Sequence, residues 1–215
     1  MIKVLGNQNT LLDQYIAQLR DVNVQQDSLR FRKNLERIGE IFAYEVSKTL
    51  DYEEKEIATS LGHARVPVIN DRLVLVTILR AGLPLHQGFL NFYDDAQNGF
   101  VSAYRKYNKE EFTIQIEYVS CPDLKDKVLI LTDAMLATGE SLVRALKHLL
   151  VNGQPKHIHV VTVLSGEEGI EKIKKNFSGK NLTLWTGAID DEVTARAYLV
   201  PGLGDAGDLA FGEKD

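Results

Sequence analysis

Only one cysteine, Cys121, occurs in the 215 residues. An internal disulfide is therefore excluded, and with it the disulfide-stapled class of small secreted domains. No apolar run approaches the roughly 20 residues that a helical bilayer crossing needs. The N-terminal stretch MIKVLGNQNT lacks the charged-then-apolar layout of a signal peptide, so a cytoplasmic location is expected and no membrane partner. Basic residues are not in excess. A net charge of −5, from 25 Lys and Arg against 30 Asp and Glu, gives no electrostatic reason to expect nucleic acid as a partner. The five histidines show no metal-ligand spacing, so no protein-held metal is expected, and no Ser–His–Asp or Cys–His arrangement stands out. Internal repeats, low-complexity tracts and linkers are missing too. At this length, an ordinary 44% of hydrophobic residues fits one sizeable core, a single domain over 1–215.

Leu11, Leu12, Tyr15, Ile16 and Leu19 recur at helical spacing behind an Asn9-Thr10 cap. A longer helix is predicted over 28–50, with Phe31, Leu35, Ile38, Phe42 and Val46 on its apolar side. Strands and helices then alternate. LVLVTIL (73–79) precedes a helix over 83–92, and residues 100–104 form a strand. KVLILT (127–132) leads into a helix over 141–151, HIHVVTVL (157–164) into a helix over 167–176, and LTLWT (182–186) follows. Continuous aliphatic strands separated by helices predict an α/β fold, a parallel β-sheet core flanked by helices on both faces. Residues 112–119 break the rhythm: Phe112, Ile114, Ile116 and Tyr118 alternate with Thr113, Gln115 and Glu117, the period of a half-exposed antiparallel flap. Trp185 belongs in the core, and Cys121, ahead of Pro122 in a turn, is not expected to be reactive.

The most informative stretch is LILTDAMLATGES, residues 129–141. An aliphatic strand ends in Asp133, a short turn closes on Thr138, Gly139 and Ser141, and a helical pattern follows. Free N–H groups and the positive end of the helix dipole suit such a turn to phosphate, while the acid can hold ribose hydroxyls or a hydrated magnesium ion. At the C-terminus, YLVPGLGDAGDLAFGE (198–213) contains Gly202, Gly204 and Gly207 at G-x-G-x-x-G spacing. Too few residues follow for a dinucleotide-binding crossover unit. Pro201 and the glycines mixed with Tyr198, Leu199, Leu203 and Phe211 predict a shaped, packed turn instead. A third segment, TILRAGLPL (77–85), places Arg80 directly after a strand.

Together these motifs resemble the uracil phosphoribosyltransferases, a branch of the type I phosphoribosyltransferases, in order and with family-like spacing from about residue 28 onward. The resemblance implies the type I fold with a flap hairpin and a C-terminal hood that binds the base. The PRPP (5-phospho-α-D-ribose 1-diphosphate) loop would comprise Asp133, Ala134, Met135, Leu136, Ala137, Thr138, Gly139, Glu140 and Ser141. Within it Asp133 takes the ribose, and Ala137, Thr138, Gly139 and Ser141 take the 5′-phosphate. Leu199, Gly204, Asp205 and Ala206 would hold uracil, with Asp205 also near PRPP. Arg80 and, in SAYRKYN, Arg105 would meet diphosphate, since a guanidinium grips phosphate oxygens bidentately. Arg80, Arg105, Asp133 and Asp205 are thus the implied catalytic set. Arg30 and Arg32 resemble the family's R-F-R helix start, for structure, interface or effector contact.

Two positions depart from the family pattern: Ala134 stands where Pro is usual and Glu140 where Gly is usual. A carboxylate beside a phosphate is electrostatically unhelpful unless it points to solvent, so Glu140 is expected to weaken PRPP binding. The implied reaction is uracil plus PRPP to UMP and diphosphate, in pyrimidine salvage. Mg²⁺ is expected mainly on PRPP, the flap over 105–120 as a lid, a homodimer or higher homo-oligomer as the assembly, and GTP as an effector candidate. The rival classes are an RNA-binding regulator that keeps the sugar-phosphate loop, against which stand the PGLGDAGD ending and the acidic charge, and a sibling transferase acting on another base.

Overall fold

Thr10 starts the first helix as predicted: its N–H donates to Asp13 Oδ2 at 2.9 Å, one arm of a capping box. The computed structural model describes residues 1–108 and 111–213, without the side chains of 105–113. In chain order the elements are β1 (Ile2–Val4), α1 (Leu11–Arg20), α2 (Ser28–Ser47), β2 (Tyr52–Thr59), β3 (Gly62–Ile69), β4 (Leu73–Leu79) and α3 (Leu83–Leu90). There follow β5 (Gln97–Asn108), β6 (Glu111–Ser120), β7 (Val128–Leu136), α4 (Glu140–Leu149), β8 (His157–Gly166) and α5 (Glu167–Asn176). The chain closes with β9 (Leu182–Asp190), β10 (Glu192–Val193), β11 (Leu199–Val200) and α6 (Ala206–Phe211).

Seven strands form one sheet in the order β1-β9-β8-β7-β4-β5-β6. All neighbours are parallel except β5 and β6, which pair antiparallel as the flap hairpin. The aliphatic strands are buried on both faces, which is why they read as unbroken runs. On one side Leu75, Ile130, Val161 and Trp185 pack under Leu12, Phe31, Leu35, Phe42 and Leu85 of α1, α2 and α3. On the other, Val76, Leu129, Leu131 and Val160 pack under Leu142, Leu146 and Ile173 of α4 and α5. Trp185 is in the core as expected, 1% exposed, with its Nε1 donating to His159 Nδ1 at 3.0 Å. Burial raises the Cys121 thiol to about 11, which keeps it protonated and inert near neutral pH. No helix among the described residues is long and apolar enough to cross a membrane.

The alternation predicted from 73 onward is present, with β7 and β9 running further than their aliphatic cores. The parallel ladder to β8 carries β7 through to Leu136, paired with Ser165. Residues 52–69, given no element from the sequence, form the antiparallel hairpin β2–β3, which pairs with no other strand among the described residues. Its strands are exposed on both faces, so no period-2 burial marks them. The two-residue strands β10 and β11 and the six-residue α6 are likewise too short to show a period.

The C-terminal segment folds back over the sheet's carboxyl ends as a hood, held there by two arginines. Arg20, at the end of α1, meets Asp190 at the end of β9 through Nη1–Oδ2 at 3.0 Å and Nη2–Oδ1 at 2.6 Å. The same Nη1 donates to Gly202 O at 2.8 Å, and Gly202 N donates to Asp190 Oδ2 at 3.0 Å. Arg32 of α2 donates to Ala210 O at 2.6 Å and lies over the Phe211 ring. Arg32 therefore serves structure, whereas Arg30 is an exposed partner of Asp27. Asp190 is only 3% exposed, so removing its partner leaves a buried charge unpaired. We predict that Arg20→Ala lowers unfolding free energy by about 3–5 kcal/mol in urea titrations, and a loss under about 1 kcal/mol would show that the pair does not hold the hood.

Candidate active site

The strand order reverses between β4 and β7. From that pair, β5 and β6 run to one side, β8 and β9 to the other. At such a switch point the loops after two adjacent parallel strands diverge and leave a crevice at the carboxyl ends. Thr77 lies beside Thr132 in the ladder, with Thr77 Oγ1 donating to Thr132 O at 3.2 Å and Thr132 Oγ1 to Val76 O at 3.3 Å. The loop after β4 carries Arg80. Its Gly82 passes so close to the sheet that a Cβ would come 2.9 Å from Thr132 O, which explains the small residue after Arg80-Ala81.

After β7 the chain turns through Ala137-Thr138-Gly139 into α4. Gly139 is the N-cap, with φ +79°, a left-handed conformation that costs a side-chain-bearing residue about 1–2 kcal/mol. No side chain caps this helix end, so its first-turn N–H groups are left as donors for an anion. Asp133, in the second half of β7, accepts from the Ala134 amide at 2.7 Å. Burial raises its carboxyl to about 7, against the Ala134 and Met135 amides, which favour the charged form.

The hood supplies the facing wall. Asp205 is the N-cap of α6: Oδ1 accepts from Gly207 N at 2.9 Å and Asp208 N at 3.1 Å, and Oδ2 from Tyr198 Oη at 3.3 Å. This carboxylate shapes the hood as well as facing the crevice. Asp208 then pairs with Arg80, Nη2–Oδ1 at 2.7 Å, while Arg80 Nη1 donates to Gly212 O at 3.2 Å. Arg80 Nε is buried without a hydrogen-bond partner among the described residues.

One cavity of about 540 Å³ is lined by Arg80, by the whole stretch Asp133, Ala134, Met135, Leu136, Ala137, Thr138, Gly139, Glu140 and Ser141, and by Asp205 and Ala206. Twelve of the candidate positions thus converge from three separate segments. Leu199 and Gly204 are not among its lining residues. Leu199 is buried against Gly166, and Gly204, at φ +92°, sits on an exposed bend. Arg105 pairs with Ile114 in the flap by its backbone, and its side chain lies outside the described residues. Tyr198, Gly207 and Asp208 line the cavity without having been given a site role from the sequence. Asp208 had a signal, since an acid three residues after an N-cap Asp falls on the first turn of a short helix.

Glu140 differs from expectation. Its carboxylate neither points bare at the turn nor runs free into solvent, because Lys172 Nζ and Arg144 Nε each lie 2.7 Å from one of its oxygens. Those two cations, Lys172 first, hold its carboxyl below the usual range. Two positive groups against one negative leave the turn with a net positive surrounding, so the expected weakening of phosphate binding loses its physical basis.

The folded chain holds the Asp133 proton more tightly than the unfolded chain, where the ordinary value is 3.8. Its contribution to stability is therefore complete below about 4 and is lost as pH rises through about 7. Denaturant midpoints measured from pH 4 to 8 should fall over that window, and Asp133→Asn should flatten the slope. An equal slope in the variant would assign the titration to another group.

Similarity to known proteins agrees with this geometry. A model of the family described as "Uracil phosphoribosyltransferase" matches residues 6–213. A Porphyromonas gingivalis protein named uracil phosphoribosyltransferase is 50% identical over 211 residues, covering 98% of this chain and 97% of its own. One of the same name from Thermococcus gammatolerans is 40% identical over 200 residues, covering 92% and 87%. Among solved structures, the AQ2163 protein of Aquifex aeolicus superposes with a TM-score of 0.87 at 32% identity, covering 99% of this chain and 98% of its own.

Proposed function

The chain belongs to the uracil phosphoribosyltransferase family, and we propose that the cavity between the β4 and β7 loops and the hood is where it joins uracil to PRPP, giving UMP and diphosphate. The observation that carries this reading is the convergence of Arg80, the 133–141 turn and Asp205–Asp208 on one cavity. The uncapped start of α4 takes the 5′-phosphate, with the Thr138 and Ser141 hydroxyls beside it. Asp133 accepts from the ribose hydroxyls in its ionised form. Arg80, with a buried Nε that lacks a partner, takes the diphosphate, and Arg105 approaches the same group from the flap.

Uracil lies against the hood main chain around Asp205 and Ala206. Fixed donors and acceptors there favour uracil over cytosine, because cytosine would leave buried polar groups unpaired. Uracil N1 attacks ribose C1 as the C1–diphosphate bond breaks, and the proton on N1 is lost. The protein's share is alignment and charge compensation. Asp133, Asp205 and Asp208 offer hard oxygen donors that suit Mg²⁺, but no group of three metal-ligating side chains occurs among the described residues. That donor set fits an ion carried chiefly by PRPP. When bound with the diphosphate, Mg²⁺ supplies charge neutralisation to the leaving group.

Pyrimidine salvage in the cytoplasm is the setting this reaction implies, in keeping with a single half-buried cysteine. The family resemblance supports a homodimer, the commonest closed assembly, and GTP as an effector to be tested by addition. Purified protein given PRPP with labelled uracil, cytosine, hypoxanthine or xanthine should form nucleotide from uracil alone. Arg80→Ala should lower kcat on the order of 10²–10³-fold. Nucleotide formed from a purine would sink the base assignment, and a fully active Arg80→Ala would sink the placement of diphosphate.

A further inference from the structure

Arg144 takes no part in the cavity, yet it touches two elements that frame it. Its Nε donates to Glu140 Oε1 at 2.7 Å, and its Nη1 donates to the main-chain carbonyl of Ile114 at 2.9 Å. Glu140 opens α4 at the phosphate turn, and Ile114 lies in β6, opposite Arg105 in the flap hairpin. The second Glu140 oxygen meets Lys172 of α5 at 2.7 Å. A continuous series of polar contacts therefore runs from α5 through the phosphate turn and α4 to the flap.

β6 is the outermost strand of the sheet, laddered to β5 alone. An edge strand held on one side bends and frays more readily than a central one. Ile114 is 3% exposed and lines the cavity, and it lies beyond Ser102, where β5 leaves its ladder to β4, so Arg144 grips the projecting part of the flap on its buried face. The planar guanidinium fixes Nε and Nη1 in one rigid fork. Orienting Nε on Glu140 thereby aims Nη1 at the Ile114 carbonyl. As a surface pair four residues apart on a helix, Glu140–Arg144 contributes little stability, which leaves orientation as its main effect.

We propose that Arg144 is a positioning residue for the transfer reaction: held by Glu140, it tethers the projecting flap at Ile114 and so fixes the distance between the phosphate turn and the flap strand that carries Arg105. This rests on the assignment of the cavity above. Glu140 then acts as the anchor of the tether and not as a liability beside the phosphate. Lysine at 144 can reach one partner but not both, because its single ammonium lacks the fork.

The test pairs steady-state kinetics with amide hydrogen exchange on the full chain, in Arg144→Met, Arg144→Lys and Glu140→Gln. Arg144→Met and Arg144→Lys should speed exchange over residues 111–120, lower kcat by roughly ten-fold or more and raise KM for PRPP. KM for uracil, bound at the hood, should stay within about two-fold. Glu140→Gln should move each quantity in the same direction by less. A purely structural role would lower Tm and shift both KM values alike, without singling out 111–120, and would overturn the proposal. So would native exchange over 111–120 or an unchanged kcat, and if Arg144→Met does not fold, Arg144→Lys decides. Absence of uracil transfer in the unaltered protein would instead sink the functional reading, while the exchange comparison would still report on the tether.

Discussion

Thr77 and Thr132 sit side by side in the parallel pair β4–β7, and both hydroxyls are spent on main-chain carbonyls across that seam. Everything functional depends on this register. A slip by one residue would turn every aliphatic side chain of one strand to the other face, and the double-sided core forbids it. With the register fixed, the Arg80 loop and the 133–141 turn leave the sheet at the same end and on adjacent strands. The switch in strand order opens the space between them. Sheet topology thus places Arg80 and the uncapped start of α4 on opposite sides of one crevice.

The third wall comes from far along the chain and is held by charge. Asp190 sits at the end of β9 with both oxygens bonded to Arg20 and one also taken by Gly202 N. That arrangement turns the chain at Pro201–Gly202 and directs it back over the crevice. Asp205 then organises α6 by accepting two amides, which places Asp208 against Arg80. The hood and the Arg80 loop are thereby linked through a handful of hydrogen bonds. Arg80 holds the hood closed through Asp208 and Gly212 while it keeps one buried donor unspent. On the function proposed here, a diphosphate that engages Arg80 would share that guanidinium with Asp208, which would couple substrate arrival to hood position.

Charge around the phosphate turn follows the same economy. Glu140 brings a negative group to a place that needs positive potential, and Lys172 and Arg144 reverse its effect. The sequence showed the acid but concealed its partners. Arg144 is four residues along the same helix, a spacing visible in one dimension, whereas Lys172 belongs to α5, which packs beside α4 only in the folded chain. A residue judged alone looked harmful. In its surroundings it orients a contact to the flap.

The sequence by itself determined the α/β class, the parallel aliphatic strands and the alternating flap, because burial period is a local property, while the Arg80, Asp133–Ser141 and Asp205–Ala206 segments were singled out through the resemblance of their motifs to a family. It left the β2–β3 hairpin unread, since strands exposed on both faces carry no burial period. Leu199 and Gly204, which the resemblance also named, are not among the residues that line the cavity. Tertiary structure alone decided which residues face the cavity, what Asp208 and Arg144 touch, and that Arg20 and Arg32 hold the hood. Those facts join positions as far apart as Arg32 and Ala210, and only the packing of helices on the sheet brings such distant groups within hydrogen-bond reach.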